Sequence, residues 1–304
     1  MTTVLEVFQT LPGGGLLVRM ALVAVFVIAV AVTAERLGPF LGGMFASLPL
    51  YTGPIYLMLA LEHDADYIAA ATLGSIAICG GTPIFVFAYC MVARRLSALA
   101  SLATALGVWG LFAAALQATS WALVDALLFV APIYLVSVPL ARGFTRGVAL
   151  QAAGRGRYDL ALRALLCGGL AGIVITLSAV MPAQLTGILS VMPILLTSLI
   201  LVLHPRIGGA ATAALLAHTL GGLIGMVLGF ALVNQMIPLL GVWPALGLGL
   251  TTTIVWNMGV ITMRALAKGR LRAHAPGAIA AATPSVPPPR AMPPPLPPAW
   301  PRRR

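Results

Sequence analysis

The sequence predicts an all-α, polytopic transmembrane helix bundle of about nine spans, built from two inverted repeats. Three observations predict it: the composition, the placement of arginines between apolar segments, and a Gly/Pro-broken apolar stretch that occurs twice. Of 304 residues, 60% are hydrophobic and 8% are charged, and the mean hydropathy is +1.03. Because a soluble domain carries about 25% charged residues, most of this protein's surface must face lipid.

Nine apolar segments approach the roughly 20 residues that a membrane span requires. They are residues 16–34, 37–61, 67–92, 96–118, 121–140, 161–180, 183–203, 207–233 and 237–264. The remaining pieces are an interfacial N-terminal segment (1–15), a basic cytoplasmic loop (141–160) and a basic Pro-rich tail (266–304) that is expected to be disordered. The membrane part divides into a first repeat with a connector helix (16–140) and a second, inverted repeat (161–265).

The positions of the charges predict the topology. If alternate loops lie on alternate sides, one side receives every Lys and Arg except Arg19, and the other receives the acidic loop 62–66 and the uncharged turns. Lys and Arg mark the cytoplasmic side. This pattern predicts an outside N-terminus, a cytoplasmic C-terminus and an odd number of spans. The net charge of +11 therefore reflects topology, and no nucleic-acid partner is expected.

The broken stretches are residues 37–59 and 181–203, and each carries a proline six residues after a glycine. Pro49 and Pro193 are the two prolines, and Gly53-Pro54 predicts a further break in the first stretch. The following helices share an Ala-rich run and a glycine pair, Gly80-Gly81 and Gly221-Gly222. Helices 1–4 thus correspond to helices 6–9, with helix 5 as the connector. An offset of five spans reverses the second repeat, which is a pattern of carriers with a site near the midplane.

A broken helix frees backbone groups that lipid cannot satisfy, so they must face protein, water or a ligand. We therefore expect a substrate site between the two breaks; the alternative is two kinked helices whose carbonyls are satisfied by neighbouring Ser or Thr. The candidate substrate-binding residues are Pro49, Tyr51, Thr52, Gly53, Pro193, Thr197, Ser198 and Asn257. For Asn257, a hydrogen bond to another helix is the favoured alternative.

Two ionisable residues within the spans, His218 and Asp125, are candidates for proton coupling. A neutral, hydrogen-bonded histidine and an anion near a helix N-terminus are the structural alternatives. The three cysteines have no metal-like spacing and are interpreted as buried apolar side chains. The acidic loop 62–66 has ligand-type residues, but it is interpreted as a topology signal, so no metal or cofactor is expected.

The stretch GPFLGGMFASLPLYTGPIYLMLALEHD (38–64) resembles a family of bacterial inner-membrane proteins without an established activity, and the resemblance implies only a location. The first hypothesis is a secondary carrier or exporter of a small, largely uncharged or amphipathic solute, because buried charge is scarce. The alternative is a non-transporting membrane assembly or interaction subunit. An enzyme is not expected, because no catalytic pairing of residues is evident. The expected partners are the lipid bilayer and a small solute of unknown identity, with homo-oligomerisation left open.

Overall fold

A computed structural model describes residues 52–146 and 159–273, together with the single residues 21, 25, 29 and 148. Every regular element in these ranges is an α-helix. The helices are α1 (Thr52–Glu62), α2 (Ala65–Cys79), α3 (Gly81–Val92), α4 (Ala98–Leu116), α5 (Leu123–Thr145), α6 (Asp159–Ser178), α7 (Ala183–Ser190), α8 (Ile194–Leu240) and α9 (Val242–Ala273).

Six continuous or nearly continuous helical stretches in the described residues are long and apolar enough to cross a membrane, in agreement with the predicted bundle. The longest, Ala183–Leu240, has 58 residues; straight, it would extend about 87 Å, far beyond a hydrocarbon core of about 30 Å. It reverses at Gly208, whose φ of 80° and ψ of 161° interrupt α8. A positive φ is accessible to glycine because it has no Cβ. Residues 183–207 and 209–240 therefore form a hairpin, and the described residues contain seven segments that are long and apolar enough to cross a membrane.

The predicted count of nine spans is thus not reached in the described part of the chain. The segment 16–34 and most of 37–61 lie outside the described residues, apart from isolated positions of the first. The last candidate span, Val242–Arg264, ends at the predicted residue, but α9 itself continues to Ala273. The first residues of the predicted tail, 266–273, are therefore helical, and the rest of the tail lies outside the described residues.

The predicted span 67–92 consists of two helices, α2 and α3, which join at Gly80. Pro83 explains the interruption, because proline has no N–H to donate to the carbonyl four residues earlier. That carbonyl belongs to Cys79, and the Tyr134 hydroxyl of α5 donates to it at 3.0 Å. A neighbouring helix thus supplies the hydrogen bond that proline removes.

Contacts between helix ends show which loops share a side of the bundle. At one end the joining contacts are His63–Ser178, Gln184–Trp121 and Asn234–Ala69. At the other end they are Tyr89–His204, Phe87–Phe144 and Arg206–Asp159. We call these the acidic end and the arginine end, because the loops predicted to share a side meet, and the charges separate as predicted.

The centre of the bundle is formed by α2, α3, α7 and most of α8, whereas α4, α5 and α9 leave many apolar side chains exposed. Helix α7 packs most extensively against α2. The chain divides into two compact units, Met1–Ile261 and Thr262–Arg304. In the second unit, the described residues 262–273 are the last turns of α9.

Candidate functional site at the broken helix

The predicted break at Pro193 is present in the structure. Helix α7 ends at Ser190, residues 191–193 are non-helical, and α8 begins at Ile194. Pro193 lacks an N–H, its ring would clash with the Leu189 carbonyl in a continuous helix, and it disfavours a helical conformation at Met192. The Met192 N–H instead donates to the Leu189 carbonyl at 3.1 Å. The carbonyl of Pro193 accepts from both the N–H and the hydroxyl of Thr197, each at 2.9 Å.

The break also frees the carbonyl of Gly187, because the Val191 N–H that would bond to it bonds to Ile188 instead, at 3.4 Å. Ser75 of α2 supplies the missing donor, with its hydroxyl 2.8 Å from the Gly187 oxygen. The Tyr56 hydroxyl lies 2.7 Å from the same serine oxygen. Since Ser75 uses its proton on the carbonyl, Tyr56 must be the donor to Ser75. This relay joins α1, α2 and α7 through groups that are almost completely buried.

The two helices at this point touch through their backbones. A Cβ built on Gly187 would overlap the carbonyl oxygen of Ala71, and one built on Gly74 would overlap that of Gln184. Small residues allow such close approach in membrane helices. The close approach brings Ser75 within reach of the freed carbonyl, so the glycines and the relay depend on one another.

A second hydrogen-bonded cluster closes the acidic end. His63 Nε2 lies 2.8 Å from the Ser178 hydroxyl, which itself donates to the Ile175 carbonyl at 2.7 Å. His63 Nε2 is therefore the donor. The Tyr67 hydroxyl lies 3.0 Å from the Ser178 carbonyl and 2.7 Å from the Thr186 hydroxyl, and its ring stacks on His63 with centroids 3.8 Å apart. Burial lowers the pKa of His63, and Asp64 raises it by a smaller amount.

The arginine end has a contact of the same kind. The Tyr89 hydroxyl of α3 lies 2.7 Å from His204 Nδ1, and the two rings meet edge to face at 5.9 Å. His204 lies just before the reversal at Gly208. Immediately after it, a Cβ on Gly209 would overlap the Ala93 carbonyl oxygen. Both arms of the hairpin are thus held against the end of α3.

Among the candidates of the first break, Pro49 and Tyr51 lie outside the described residues. Thr52 is buried, with 1% exposure, and its hydroxyl has no hydrogen-bond partner among the described residues. It lies one helical turn before Tyr56 and therefore on the same face of α1. Gly53 and Pro54 lie in the first turn of α1, where proline is tolerated, and the residues that would show whether the span breaks before them lie outside the described residues.

The candidates of the second break are bonded within their own helix. Thr197 binds the Pro193 carbonyl, and Ser198 donates to the Leu195 carbonyl at 2.7 Å. This is the pattern expected of a kinked helix whose groups are satisfied by neighbouring hydroxyls. Of all the predicted site residues in the described ranges, Thr52 alone retains a buried, unpaired hydroxyl.

The remaining candidates lie away from the break. Asn257 is buried and donates to the Thr253 carbonyl at 2.9 Å and to the Gly222 carbonyl at 3.4 Å, so it joins α9 to α8. His218 and Asp125 are both exposed on the surface of the chain. In the described part of the chain, no cluster of His, Cys, Asp or Glu could hold a metal ion. The acidic loop has a local role instead, because Asp64 caps α2 through the Tyr67 N–H at 2.8 Å.

Sequence reasoning did not identify Tyr56, Ser75, Tyr67 or His204. Their one visible signal is a hydroxyl or imidazole group within or directly after an apolar run, and only the fold shows which of these groups meet. No protein-family model, no curated protein and no solved structure matches this chain.

Proposed function

We propose that this integral membrane protein is a secondary carrier of a small, largely uncharged or amphipathic solute, which binds at the level of the break in residues 191–193. One observation carries the proposal: a helix broken inside the bundle is held by hydroxyl groups from the other half of the chain, through Tyr56, Ser75 and Gly187. Nearby, Thr52 has a buried hydroxyl without a described partner. A buried polar group of this kind has a cost that a ligand can offset.

The packing of the two Ala-rich helices supports an inverted repeat. Asn234 of α8 donates to the Ala69 carbonyl of α2, and at the other end Gly209 of α8 lies against Ala93 after α3. The two contacts lie about twelve residues on either side of the glycine pairs Gly80-Gly81 and Gly221-Gly222. Antiparallel helices in this register are related by an approximate two-fold axis near the glycine pairs. This is the arrangement in which two halves exchange conformations around a central site.

The two histidine contacts fit the ends of such a carrier. His63 directly follows α1 and binds Ser178 of the second half, whereas His204 ends the first arm of the α8 hairpin and binds Tyr89 of the first half. Each contact crosses between the halves, and they lie at opposite ends of the bundle. Opening a path to one side would require the contacts at that end to break, the histidine contact among them, while those at the other end remain. We assign His63 and His204 as the latches of the acidic and the arginine end.

The chemistry of the interior limits the solute. The two ionisable residues predicted within the spans, His218 and Asp125, are exposed. The polar groups described at and near the break are hydroxyls and peptide groups, with no carboxylate or guanidinium among them. A strongly charged solute would lack compensation there. A solute with hydroxyl, carbonyl or amide groups on an apolar frame suits this environment.

The proposal can be tested without knowing the solute. Thr52→Cys would be introduced into a background in which the three native cysteines are alanine, and labelled with a membrane-impermeant maleimide in right-side-out and inside-out vesicles. A carrier site is reached from both sides in turn, so labelling is expected in both preparations. Leu59→Cys, fully buried on the same helix, is the matched control and should react in neither. Ser97→Cys, in the exposed loop before α4, should react in one orientation.

If Thr52→Cys reacts from neither side while Ser97→Cys reacts normally, the carrier proposal is wrong. That result would favour the non-transporting membrane subunit. Truncation after residue 273 would then become the informative variant, because a docking subunit would depend on its tail. Adding His63→Ala or His204→Ala to the Thr52→Cys variant should increase the labelling of the cysteine, each from one side only. That result would support the two latches.

A further inference from the structure

Four arginines gather at the arginine end, on the neighbouring helices α3 and α5. Arg94 and Arg95 directly follow α3, and Arg142 and Arg146 lie in the last turn of α5 and at its cap. The helix ends are held together by Phe87 and Phe144, whose rings meet edge to face with centroids 5.5 Å apart. All four arginines are exposed. The fold thus brings two sequence-distant arginine pairs to one edge of the bundle.

These four charges are not neutralised within the described chain. Four of the described carboxylates, Glu62, Asp64, Asp66 and Asp125, lie at or near the acidic end. The fifth, Asp159, lies at the arginine end but forms an ion pair with Arg206. The two Nη atoms of Arg206 each lie 2.7 Å from one of the two Asp159 carboxylate oxygens. Clustered like charges repel one another, and an anion bound between them removes that cost.

The surface leading to these arginines is apolar and exposed. Met91 precedes the α3 pair and is 72% exposed, and Val136 and Leu140 precede the α5 pair at 56% and 59%. Both helices belong to stretches that are long and apolar enough to cross a membrane. The arginines therefore lie where such a helix leaves the hydrocarbon, with exposed apolar side chains directly beneath them. A ligand that fits this surface has an anionic head and apolar chains.

We propose that the edge formed by the ends of α3 and α5 binds an anionic phospholipid, with its phosphate between the two arginine pairs and its acyl chains along the exposed faces of both helices. Guanidinium groups bind phosphate oxygens through paired, charge-assisted hydrogen bonds. Basic pockets between membrane helices are typical sites for anionic headgroups. The inference does not depend on solute transport, since it uses neither the break nor the latches.

The test measures lipid binding to the full-length protein purified in detergent. Phosphatidylglycerol, phosphatidylcholine and inorganic phosphate would be titrated separately, with bound lipid counted by native mass spectrometry and stability followed by thermal unfolding. We expect binding and stabilisation by phosphatidylglycerol at concentrations where phosphatidylcholine and phosphate have little effect. The double variants Arg94→Gln/Arg95→Gln and Arg142→Gln/Arg146→Gln should each weaken that binding about ten- to thirtyfold.

Arg206→Gln is the matched control, because this arginine lies at the same end but is already paired with Asp159. It should leave phosphatidylglycerol binding unchanged. Arg142→Lys/Arg146→Lys keeps the charge and should retain part of the affinity, which separates loss of binding from loss of folding. Equal binding by wild type and both glutamine variants would overturn the proposal. So would an equal effect of phosphatidylcholine, or of phosphate alone.

Discussion

Gly187→Ala tests the backbone contact on which the candidate site depends. The new methyl group would overlap the Ala71 carbonyl oxygen and would lie 2.7 Å from its carbonyl carbon and 3.1 Å from its Cα. Carbon atoms in favourable contact lie about 3.5–4.0 Å apart. Because the obstructing atoms are backbone, no side chain can move aside. Helices α2 and α7 must therefore separate by about 1 Å, on the same contact distances.

The cost has two parts. Forcing a methyl group into a packed interior costs about 1–3 kcal/mol. Separating the helices also lengthens the hydrogen bond from Ser75 to the Gly187 carbonyl, which contributes about 0.5–1.5 kcal/mol. We expect the free energy of unfolding to fall by about 2–4 kcal/mol in total, on the sum of these two effects.

The assay is reversible unfolding in mixed detergent micelles, with helix content as the observable. Gly169→Ala is the matched control, because Gly169 is a helical glycine of α6, and a methyl group added to it would meet no atom within 4 Å. Alanine there should be neutral or stabilising by up to about 1 kcal/mol. If Gly187→Ala is as stable as Gly169→Ala, the close packing of α2 on α7 is not as described.

Three further predictions concern buried polar groups. In the same unfolding assay, Ser75→Ala should destabilise more than Tyr56→Phe, because it leaves both a hydroxyl and a carbonyl without a partner, each at about 1–3 kcal/mol; equal losses would contradict the relay. Tyr134→Phe should destabilise by about 1–3 kcal/mol, because it leaves the Cys79 carbonyl without that donor. Adding Pro83→Ala should restore stability, because the N–H that alanine provides at this position can donate to the same carbonyl; an absence of rescue would contradict that account. Since burial lowers the pKa of His63, neutral imidazole is favoured in the fold, so stability should fall as the pH drops below about 6.5. His63→Gln keeps a donor for Ser178 and should reduce this pH dependence, measured by thermal unfolding from pH 8 to 5; an unchanged profile would exclude His63 as its source.

The sequence was sufficient for the features that follow from local chemistry and from charge. The break at Pro193 was predictable as a possibility because proline removes a donor inside a helix, although α5 continues through Pro132 and Pro139. The shared sides of the loops were predictable because arginine is costly within a bilayer. Pro83 could have predicted the interruption at Gly80. The span around it is apolar throughout, however, so hydropathy alone predicts one continuous helix.

Other features depend on which helices become neighbours. The residue types in the acidic loop suit a metal site as well as a helix cap, and only the distance from Asp64 to the Tyr67 N–H decides in favour of the cap. His218 is an attractive coupling residue by its depth in the span, yet its face of α8 is exposed. Helical periodicity cannot assign that face, because α8 is apolar on all sides.

The relay at Gly187 shows why symmetry was a poor guide to the site. The repeat that aligns Gly80-Gly81 with Gly221-Gly222 also aligns Ser75 with Leu216, which is fully buried and apolar. A search for polar residues matched between the halves therefore passes over Ser75. The hydroxyl that satisfies the second break has no counterpart in the second Ala-rich helix, so the two halves of the predicted repeat differ in hydrogen bonding at this position. If they exchange conformations as proposed, the two states differ by the relay, which is worth about 1–3 kcal/mol for two hydrogen bonds. Ser75→Ala should then change the ratio of Thr52→Cys labelling from the two sides, and an unchanged ratio would separate the relay from the conformational exchange.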